Sequence, residues 1–296
     1  MDRVKEQIHC PDAYRLGLTG KGVGVAVLDT GIFPHRDFDD RILGFVDLVN
    51  RKQGPYDDCG HGSHICGIIG GSGAMSDGRY QGMAPGCNLV ALKVLDQKGN
   101  GYVNDVLAGI RWILEKKDAL GIRIINISVG AGGRRRISEN SALVRGVNQA
   151  WDAGLVVVVA AGNNGPGRMT VTTPGISRKV ITVGCSDDDR EVLVGGRRMV
   201  DYSGRGPTSE CICKPDVVAP GSCVVSCAAC EDKYAIKSGT SMSTPIISGA
   251  VALLLEKCPN LTNRDVKLRL MQSCRDLGFP KNQQGWGMLD VQRLLL

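Results

Sequence analysis

Three short segments of the chain carry residues that together could form a nucleophilic serine site. They are Leu28-Asp29-Thr30-Gly31, His61-Gly62-Ser63-His64 and Gly239-Thr240-Ser241-Met242-Ser243-Thr244-Pro245. A serine hydroxyl becomes a strong nucleophile when a base takes its proton, and the base needs a carboxylate that fixes its tautomer and stabilises its charged form. We therefore predict that Ser241 attacks, that His61 transfers the proton and that Asp29 orients His61.

Each of these residues also has an ordinary structural explanation. An aspartate that closes a strand is often a turn residue, a serine before an apolar helix is often an N-cap, and a lone histidine is usually structural. The order Asp, His, Ser, with each residue inside an extended motif, favours the catalytic interpretation for all three together.

Buried strands that alternate with helices are expected to position these residues. Continuous apolar runs predict parallel strands at Val23–Leu28, Leu89–Val94, Ile122–Ile127, Leu155–Ala160 and Val180–Val183. Helical spacing predicts helices at His61–Ile69, Val103–Glu115, Ser138–Ala153 and Ser241–Lys257. The alternation predicts an α/β class, three-layer fold with a mostly parallel central sheet flanked by helices. Asp29 and Asn163 then follow the carboxyl ends of strands, where functional groups collect in such sheets.

The three motifs resemble those of the subtilisin-like serine proteases, the subtilase family, in which Asp, His and Ser follow in this order within D-[ST]-G, H-G-[ST]-H and G-T-S-[MA]-[AS]-x-P. The resemblance runs from about Gly20 to the last helices. It implies a subtilisin-like fold, with one peptidase domain over residues 1–296 that includes an N-terminal extension over residues 1–20. It also implies a serine endopeptidase that works through an acyl-enzyme.

A fourth segment, Val157–Gly165, resembles the family strand that ends in A-A-G-N. This resemblance implies that Asn163 is a side-chain donor to the oxyanion hole, and it leaves Asn164 as a turn residue. A neutral amide suits this role because it stabilises developing negative charge without offering a competing proton. The helix that starts near Ser241 is expected to supply the other donor from its free backbone N–H groups.

The resemblance also implies where a peptide binds, because two segments match the family segments that flank the substrate as neighbouring strands. The residues Ala160–Gly162 and Thr172–Pro174 are expected to wall the first specificity pocket, and they include no acidic residue. We therefore expect a medium-sized apolar residue before the scissile bond rather than dibasic processing. The implied substrate-binding residues are Gly99, Asn100, Gly101, Ser128, Val129, Gly130, Ala160, Ala161 and Gly162.

Several segments, including Gly82-Met83-Ala84-Pro85 and Ser203–Thr208, resemble most the intracellular bacterial branch of the family. The first ten residues have neither the apolar core nor the small-residue cleavage site of a secretory signal. No apolar run reaches the roughly 18 residues of a membrane span. Twelve cysteines in a chain of 296 residues predict reduced thiols, because disulfide frameworks belong mostly to small chains. We expect a cytoplasmic location and no membrane partner.

The charge pattern gives no reason to expect a nucleic-acid partner. The net charge is +6, from 36 basic and 30 acidic residues. The densest basic run, Gly133–Arg136, is short and has no interleaved aromatic residues, so it predicts a solvated loop. Peptides or proteins are the expected partners, and the sequence gives no indication of an oligomeric state.

Two patterns could indicate a transition metal. His61 and His64 form an H-x-x-H pair, with Asp29 or Cys59 as further ligands, but the family motif explains His61 as the base and His64 as a packed helix residue. Cys227-Ala228-Ala229-Cys230 has metal or redox spacing, although the alternation around Val224 predicts a strand. The cysteine cluster consists of Cys211, Cys213, Cys223, Cys227 and Cys230.

Calcium has little support in the sequence. Asp37 matches the downstream aspartate of calcium-binding relatives, but the loop Gly71–Tyr80 carries one carboxylate beside an arginine. Such a loop is poor for a hard cation that takes six or more oxygen ligands. We expect no cofactor and no metal, and a structural role for Asp37 is an equal alternative.

Two other functions stay open at this point. One is a catalytically silent binding protein, because a fold alone does not establish activity, although every expected catalytic position is filled. The other is a dedicated processing protease for one partner protein. Cleavage of a denatured proteome would separate a processing enzyme, which cuts few sites, from a general peptidase.

Overall fold

A parallel sheet of seven strands forms the centre of the fold. The computed structural model describes residues 1–130 and 140–296, so the basic run Gly133–Arg136 and the predicted helix start at Ser138 lie outside the described residues. The strands are β1 Gly24–Asp29, β2 Ile42–Asp47, β3 Asn88–Lys93, β4 Ile122–Ile127, β5 Val156–Ala160, β6 Ile181–Cys185, β7 Val192–Val194, β8 Arg197–Met199, β9 Val217–Ala219, β10 Val224–Cys227 and β11 Tyr234–Lys237.

The sheet order is β2-β3-β1-β4-β5-β6-β9, and every pair is parallel. The inner strands β1 and β5 are buried along their whole length because both faces of the sheet are covered, as parallel sheets require. The last residue of β1, Asp29, lies beside Lys93 of β3. The strands β7–β8 and β10–β11 form two separate antiparallel hairpins.

Helices cover the sheet. They are α1 Asp2–Gln7, α2 Pro11–Arg15, α3 His61–Gly70, α4 Val103–Lys116, α5 Ala142–Asp152, α6 Thr240–Lys257, α7 Asn263–Ser273, α8 Lys281–Gln284 and α9 Val291–Leu295. The helices α3 and α6 pack together on one side of the sheet, and α4 packs with α5 on the other. Burial follows the sequence, since α5 buries one apolar stripe whereas α6 is apolar on nearly every side and runs through the core.

The predicted α/β class, with a mostly parallel central sheet flanked by helices, is confirmed. Five predicted strands correspond to β1, β3, β4, β5 and β6, and four predicted helices correspond to α3, α4, α5 and α6, with small shifts at the ends. The strand expected around Val224 is β10. Prediction missed β2 and β9 because β2 is a half-buried edge strand and β9 has only three residues. It also missed the β7–β8 hairpin, although Gly195-Gly196 is a sequence typical of a hairpin turn.

Candidate active site

The end of β1 and the start of α3 bring Asp29 and His61 into contact. Asp29 Oδ1 lies 2.7 Å from His61 Nδ1, and it also accepts the backbone N–H of Thr30 at 2.8 Å. The Asp29 side chain is 1% exposed and the His61 side chain 24% exposed. With Nδ1–H donating to the carboxylate, Nε2 of His61 is the ring nitrogen that can accept a proton.

The loop before His61 is fixed by a buried carboxylate, Asp57. One of its oxygens accepts hydrogen bonds from the Thr30 hydroxyl at 2.8 Å and from the N–H groups of Cys59 and Gly60. The other oxygen accepts hydrogen bonds from the N–H and the hydroxyl of Ser63. Burial raises the pKa of Asp57, but these hydrogen bonds outweigh it and hold the pKa below its usual value. Asp57 therefore joins the first turn of α3 to the segment that follows Asp29.

Two glycines allow this close approach. A Cβ atom on Gly62 would lie 2.1 Å from the carbonyl oxygen of Gly31, and Gly31 itself has a φ of +118°. Only glycine fits both requirements without moving the backbone. The D-T-G and H-G-S-H motifs thus dock directly against each other, which sets the separation of Asp29 and His61.

A buried lysine, Lys93, joins the loops that contain Thr30, Asp58 and Leu95. Its ammonium donates to the carbonyl oxygens of Thr30 and Leu95, both at 2.8 Å, and to Asp58 Oδ1 at 2.6 Å. The Lys93 side chain is fully buried and the Asp58 side chain is 32% exposed. All three ammonium hydrogens therefore have acceptors, as a buried charge requires.

Several charges act on the base, His61. Burial lowers the pKa of His61, the Asp29 carboxylate raises it through its charge and its hydrogen bond, and Lys237 and Asp57 have smaller and opposite effects. The net pKa lies above its ordinary value. The Asp29 carboxylate thus favours the protonated form of His61, which is the form that general-base catalysis generates.

Ser241 is the second residue of α6, and Gly239 precedes this helix with a φ of +141°. Its hydroxyl donates to the backbone oxygen of Ser128 at 2.7 Å, and no hydrogen bond joins it to His61 in the described part of the chain. The first N–H groups of a helix have no helical acceptor, so the backbone N–H of Ser241 can serve an oxygen in the cavity.

Asn163 follows β5 and faces the start of α6. Its Oδ1 accepts both the N–H and the hydroxyl of Thr240, each at 3.0 Å. These two donors require the amide oxygen on that side, so Nδ2 is left as a donor. A Cβ on Gly239 would lie 3.3 Å from this Nδ2, which gives a second reason for glycine before the helix.

The four predicted catalytic residues contact one cavity or its immediate wall. His61, Asn163 and Ser241 line a cavity of about 580 Å³, and Asp29 lies behind His61. Six of the predicted substrate-binding residues line this cavity: Gly99, Ser128, Val129, Gly130, Ala160 and Gly162.

An adjoining groove of about 280 Å³ continues past Gly99 and is lined by Asn100 and Gly101. Ala161 is fully buried, and its carbonyl oxygen accepts the N–H of Thr172 at 2.9 Å, so it lies behind the wall and does not face the cavity. No carboxylate lines the cavity in the part of the chain that the structure describes.

Sequence reasoning missed several lining residues. Lys237 is two residues before Gly239 in the sequence. This short separation from the serine motif could have indicated that Lys237 lines the cavity. Gly195 reaches the cavity from the β7–β8 hairpin, and Leu95 follows β3. Nothing local in the sequence indicates the position of Gly195, because that position depends on where the hairpin folds.

His64 has a packing role. Its Nε2 is 3.1 Å from the carbonyl oxygens of Val224 and Ala235, and burial together with the charges of Lys237 and His61 lowers its pKa to about 3. His64 is thus neutral, and its ring holds the β10–β11 hairpin against α3. The H-x-x-H metal alternative has no support in this geometry.

The cysteine cluster does not assemble as the C-x-x-C spacing suggests. Cys227 is buried and its Sγ lies 3.6 Å from Asp37 Oδ2, whereas Cys230 is exposed. Among the residues that the structure describes, the group that could hold a metal is His35, Asp37 and Cys227.

The surroundings of Asp37 do not fit a calcium ion. Its Oδ2 accepts the hydroxyl of Tyr234 at 2.8 Å, its Oδ1 accepts the N–H of Met75 at 3.1 Å, and its own N–H donates to His35 Nδ1. Protein donors thus occupy both carboxylate oxygens, and the other neighbours offer nitrogen and sulfur where calcium prefers oxygen.

No disulfide joins any of the twelve cysteines in the structure. Burial raises the pKa of Cys87 to about 12 and that of Cys66 well above its ordinary value, so these thiols are unreactive. In the described residues, no helix combines the length and the apolar character needed to cross a bilayer.

Comparisons with known proteins confirm the predicted subtilisin-like fold. The profile of the Subtilase family, Peptidase S8, matches residues 20–287. The chain is 43% identical over 286 residues to "Serine protease AprX" of Bacillus subtilis, an alignment that covers 90% of this chain and 65% of that relative. It is 33% identical to "Subtilisin Savinase" of Lederbergia lenta, with 97% of this chain and 95% of the relative covered.

Two solved structures are similar over nearly their whole length. Sphericase superposes with a TM-score of 0.76 at 30% identity and covers 93% of both chains. A cold adapted subtilisin-like serine proteinase superposes with a TM-score of 0.74 at 28% identity, over 92% of this chain and 89% of the other.

Proposed function

The chain belongs to the subtilase family of serine peptidases, and from this premise we propose that it is an endopeptidase with Asp29, His61 and Ser241 as its catalytic triad. The observation that carries the proposal is the 2.7 Å contact of Asp29 with His61, in one cavity with a serine at the start of a long helix. Substrates are peptides or proteins.

The acylation step requires one rotation of the nucleophile. The Ser241 hydroxyl donates to the Ser128 carbonyl oxygen, so it must turn towards His61 before it attacks. A peptide that pairs with the segment at Ser128–Gly130 would offer its own N–H to that carbonyl and would release the hydroxyl. Ser241 Oγ then attacks the scissile carbonyl carbon while His61 takes its proton.

The developing oxyanion would receive two donors, Asn163 Nδ2 and the backbone N–H of Ser241. His61 then protonates the leaving amine, and the acyl-enzyme is hydrolysed by a water that His61 activates in the same way. Asp29 remains ionised throughout and stabilises the imidazolium form of His61. Both oxyanion donors are fixed before the reaction, which is the condition for strong electrostatic stabilisation.

Labelling with a fluorophosphonate tests the proposal. We expect the wild type to react at Ser241 alone, because no other serine among the described residues has both a histidine base and a helix start behind it. Ser241→Ala should lose the label and keep its fold by circular dichroism. Equal labelling of this variant would refute the assignment, and a folded wild type that resists the probe would favour a silent binding protein.

We also propose that the protein works with reduced thiols in the cytoplasm. The support is the set of twelve free cysteines, of which Cys211, Cys213, Cys223 and Cys230 are exposed. Titration of the native protein should find these four first, and titration after denaturation should find all twelve. Activity that is lost in millimolar reductant, with disulfides detected by mass spectrometry, would contradict this proposal.

A further inference from the structure

Among residues 1–130 and 140–296, the catalytic cavity is lined by the lysines Lys98 and Lys237 and by no aspartate or glutamate. Lys98 is exposed at the end of the loop after β3, whereas Lys237 is half-buried at the end of β11. Within residues 1–130 and 140–296, the Lys237 ammonium forms no ion pair and no hydrogen bond.

The position of Lys237 relative to the triad shows which part of a substrate it can reach. The groove leaves the triad past Gly99, Val129 and Gly130, and the family resemblance implies that the acyl part of a peptide pairs with the edge segments along this arm. Lys237 and Cys59 line the catalytic cavity and not that arm. The charge of Lys237 also acts on His61, so Lys237 lies beside the base that delivers a proton to the leaving amine.

The charge of Lys237 acts on this side of the cavity. It is among the groups that lower the pKa of both His61 and His64, and it also acts on Cys59. These three residues belong to α3 and the loop before it. The Lys237 ammonium therefore lies close to that loop. A half-buried cation without a partner is costly to hold, and a carboxylate placed beside it is stabilised.

We propose that Lys237 binds an acidic side chain in the residue directly after the scissile bond, so that the enzyme prefers peptides with Asp or Glu at that position. This inference rests on the proposed peptidase function and names its substrate class. Specificity of this kind comes from charge complementarity and excludes substrates with Lys or Arg at the same place by repulsion. The apolar preference before the scissile bond is independent of it, because Ala160 and Thr172 wall that pocket.

Matched peptides test the proposal. They share one sequence and differ in the residue after the cut, which is Glu, Gln or Lys, and kcat/KM is measured for each at low and high salt. For the wild type we expect Glu to be cleaved about 5-fold better than Gln, as for a partly exposed ion pair, and Lys to be the poorest. The preference should shrink at high salt because screening weakens an exposed pair.

Two variants of Lys237 and one control assign the preference to this residue. Lys237→Gln should remove the difference between Glu and Gln, and Lys237→Glu should invert the order so that Lys is cleaved best. Lys233→Gln removes the same charge from the same hairpin at an exposed position outside the cavity, and it should retain the wild-type order.

The outcomes separate this proposal from the proposed function. If wild type and variants take the fluorophosphonate label and cleave all three peptides equally, the enzyme is a peptidase and the role of Lys237 is wrong. If Lys237→Glu keeps the wild-type order, the preference comes from elsewhere and the proposal is also wrong. If the wild type neither takes the label nor cleaves any peptide, it is the peptidase function that fails.

Discussion

The two halves of the catalytic cavity are built from different chemistry. On the Asp29 and His61 side, buried ionised groups hold the loops: Asp57 accepts several donors and Lys93 satisfies three acceptors. On the Ser241 and Asn163 side, the contacts are between neutral groups, an amide with Thr240 and a hydroxyl with a backbone carbonyl. The half with Asp29 and His61 is thus held by charged groups. The half with Ser241 and Asn163 is neutral, and the Ser241 hydroxyl must rotate before it can attack.

This difference has a chemical reason. The base must keep its orientation while its charge changes, so it needs a fixed carboxylate and a fixed loop. The nucleophile and the oxyanion donors must remain neutral until the transition state, because an ion there would stabilise the ground state as well. Substitutions in the charged half should therefore alter both pH dependence and rate, whereas those in the neutral half should alter rate alone.

The largest expected effect comes from the charged half. Asp29→Asn leaves the shape of the site and removes the charge that stabilises the His61 imidazolium. We expect kcat to fall by about 10⁴-fold, the loss found for the corresponding change in related triads. Because Asp29 raises the pKa of His61, the acidic limb of the kcat/KM profile should move to lower pH. A large rate loss with an unchanged limb would mean that Asp29 only positions the ring.

The next effect belongs to the neutral half. Asn163→Ala should lower kcat by about 10²- to 10³-fold with nearly the same KM, the range known for the oxyanion asparagine of subtilisin. The pH profile should keep its limbs. Asn163→Asp is the matched variant, because a carboxylate can still accept from Thr240 but cannot donate. If Asn163→Asp retained activity, the role of Asn163 would be to hold Thr240 and not to donate to the oxyanion.

Much of this comparison could be predicted from the sequence because the proposed catalytic residues lie in local motifs at strand and helix ends. Asp29, His61, Asn163 and Ser241 were assigned in this way, and the main strands and helices around them are where the apolar pattern indicates. Lys237 and Gly195 escaped prediction because they reach the cavity from hairpins whose placement depends on contacts distant in the sequence. The contact of Ser241 with Ser128 likewise joins residues 113 positions apart.

A smaller effect is expected from Lys93, and it concerns stability. Lys93→Met leaves the Thr30 and Leu95 carbonyls without a donor and the Asp58 carboxylate without its cation. Because Asp58 is 32% exposed, we expect the free energy of unfolding to fall by about 2 kcal/mol, below the range for a fully buried pair. Urea unfolding with Lys21→Met, an exposed lysine, as the control measures this. Equal losses in the two variants would mean that Lys93 does not hold the loops.

The smallest effect tests the boundary between the two halves, because Lys237 comes from the segment that leads to Ser241 and yet acts on His61. The base must be neutral to accept a proton, so kcat/KM rises as the pH rises through the pKa of free His61. Asp29 and Asp57 raise that pKa, and burial and Lys237 lower it. Lys237→Gln removes one charge that lowers the pKa of His61, so the acidic limb should move to higher pH, and Lys237→Glu should move it further in the same direction.

The measurement uses an uncharged peptide at low salt, where the Debye length is longest. Lys233→Gln supplies the matched loss of one exposed charge. A limb that moves equally in Lys233→Gln and Lys237→Gln would reflect net charge alone, and the two halves would then be electrostatically separate.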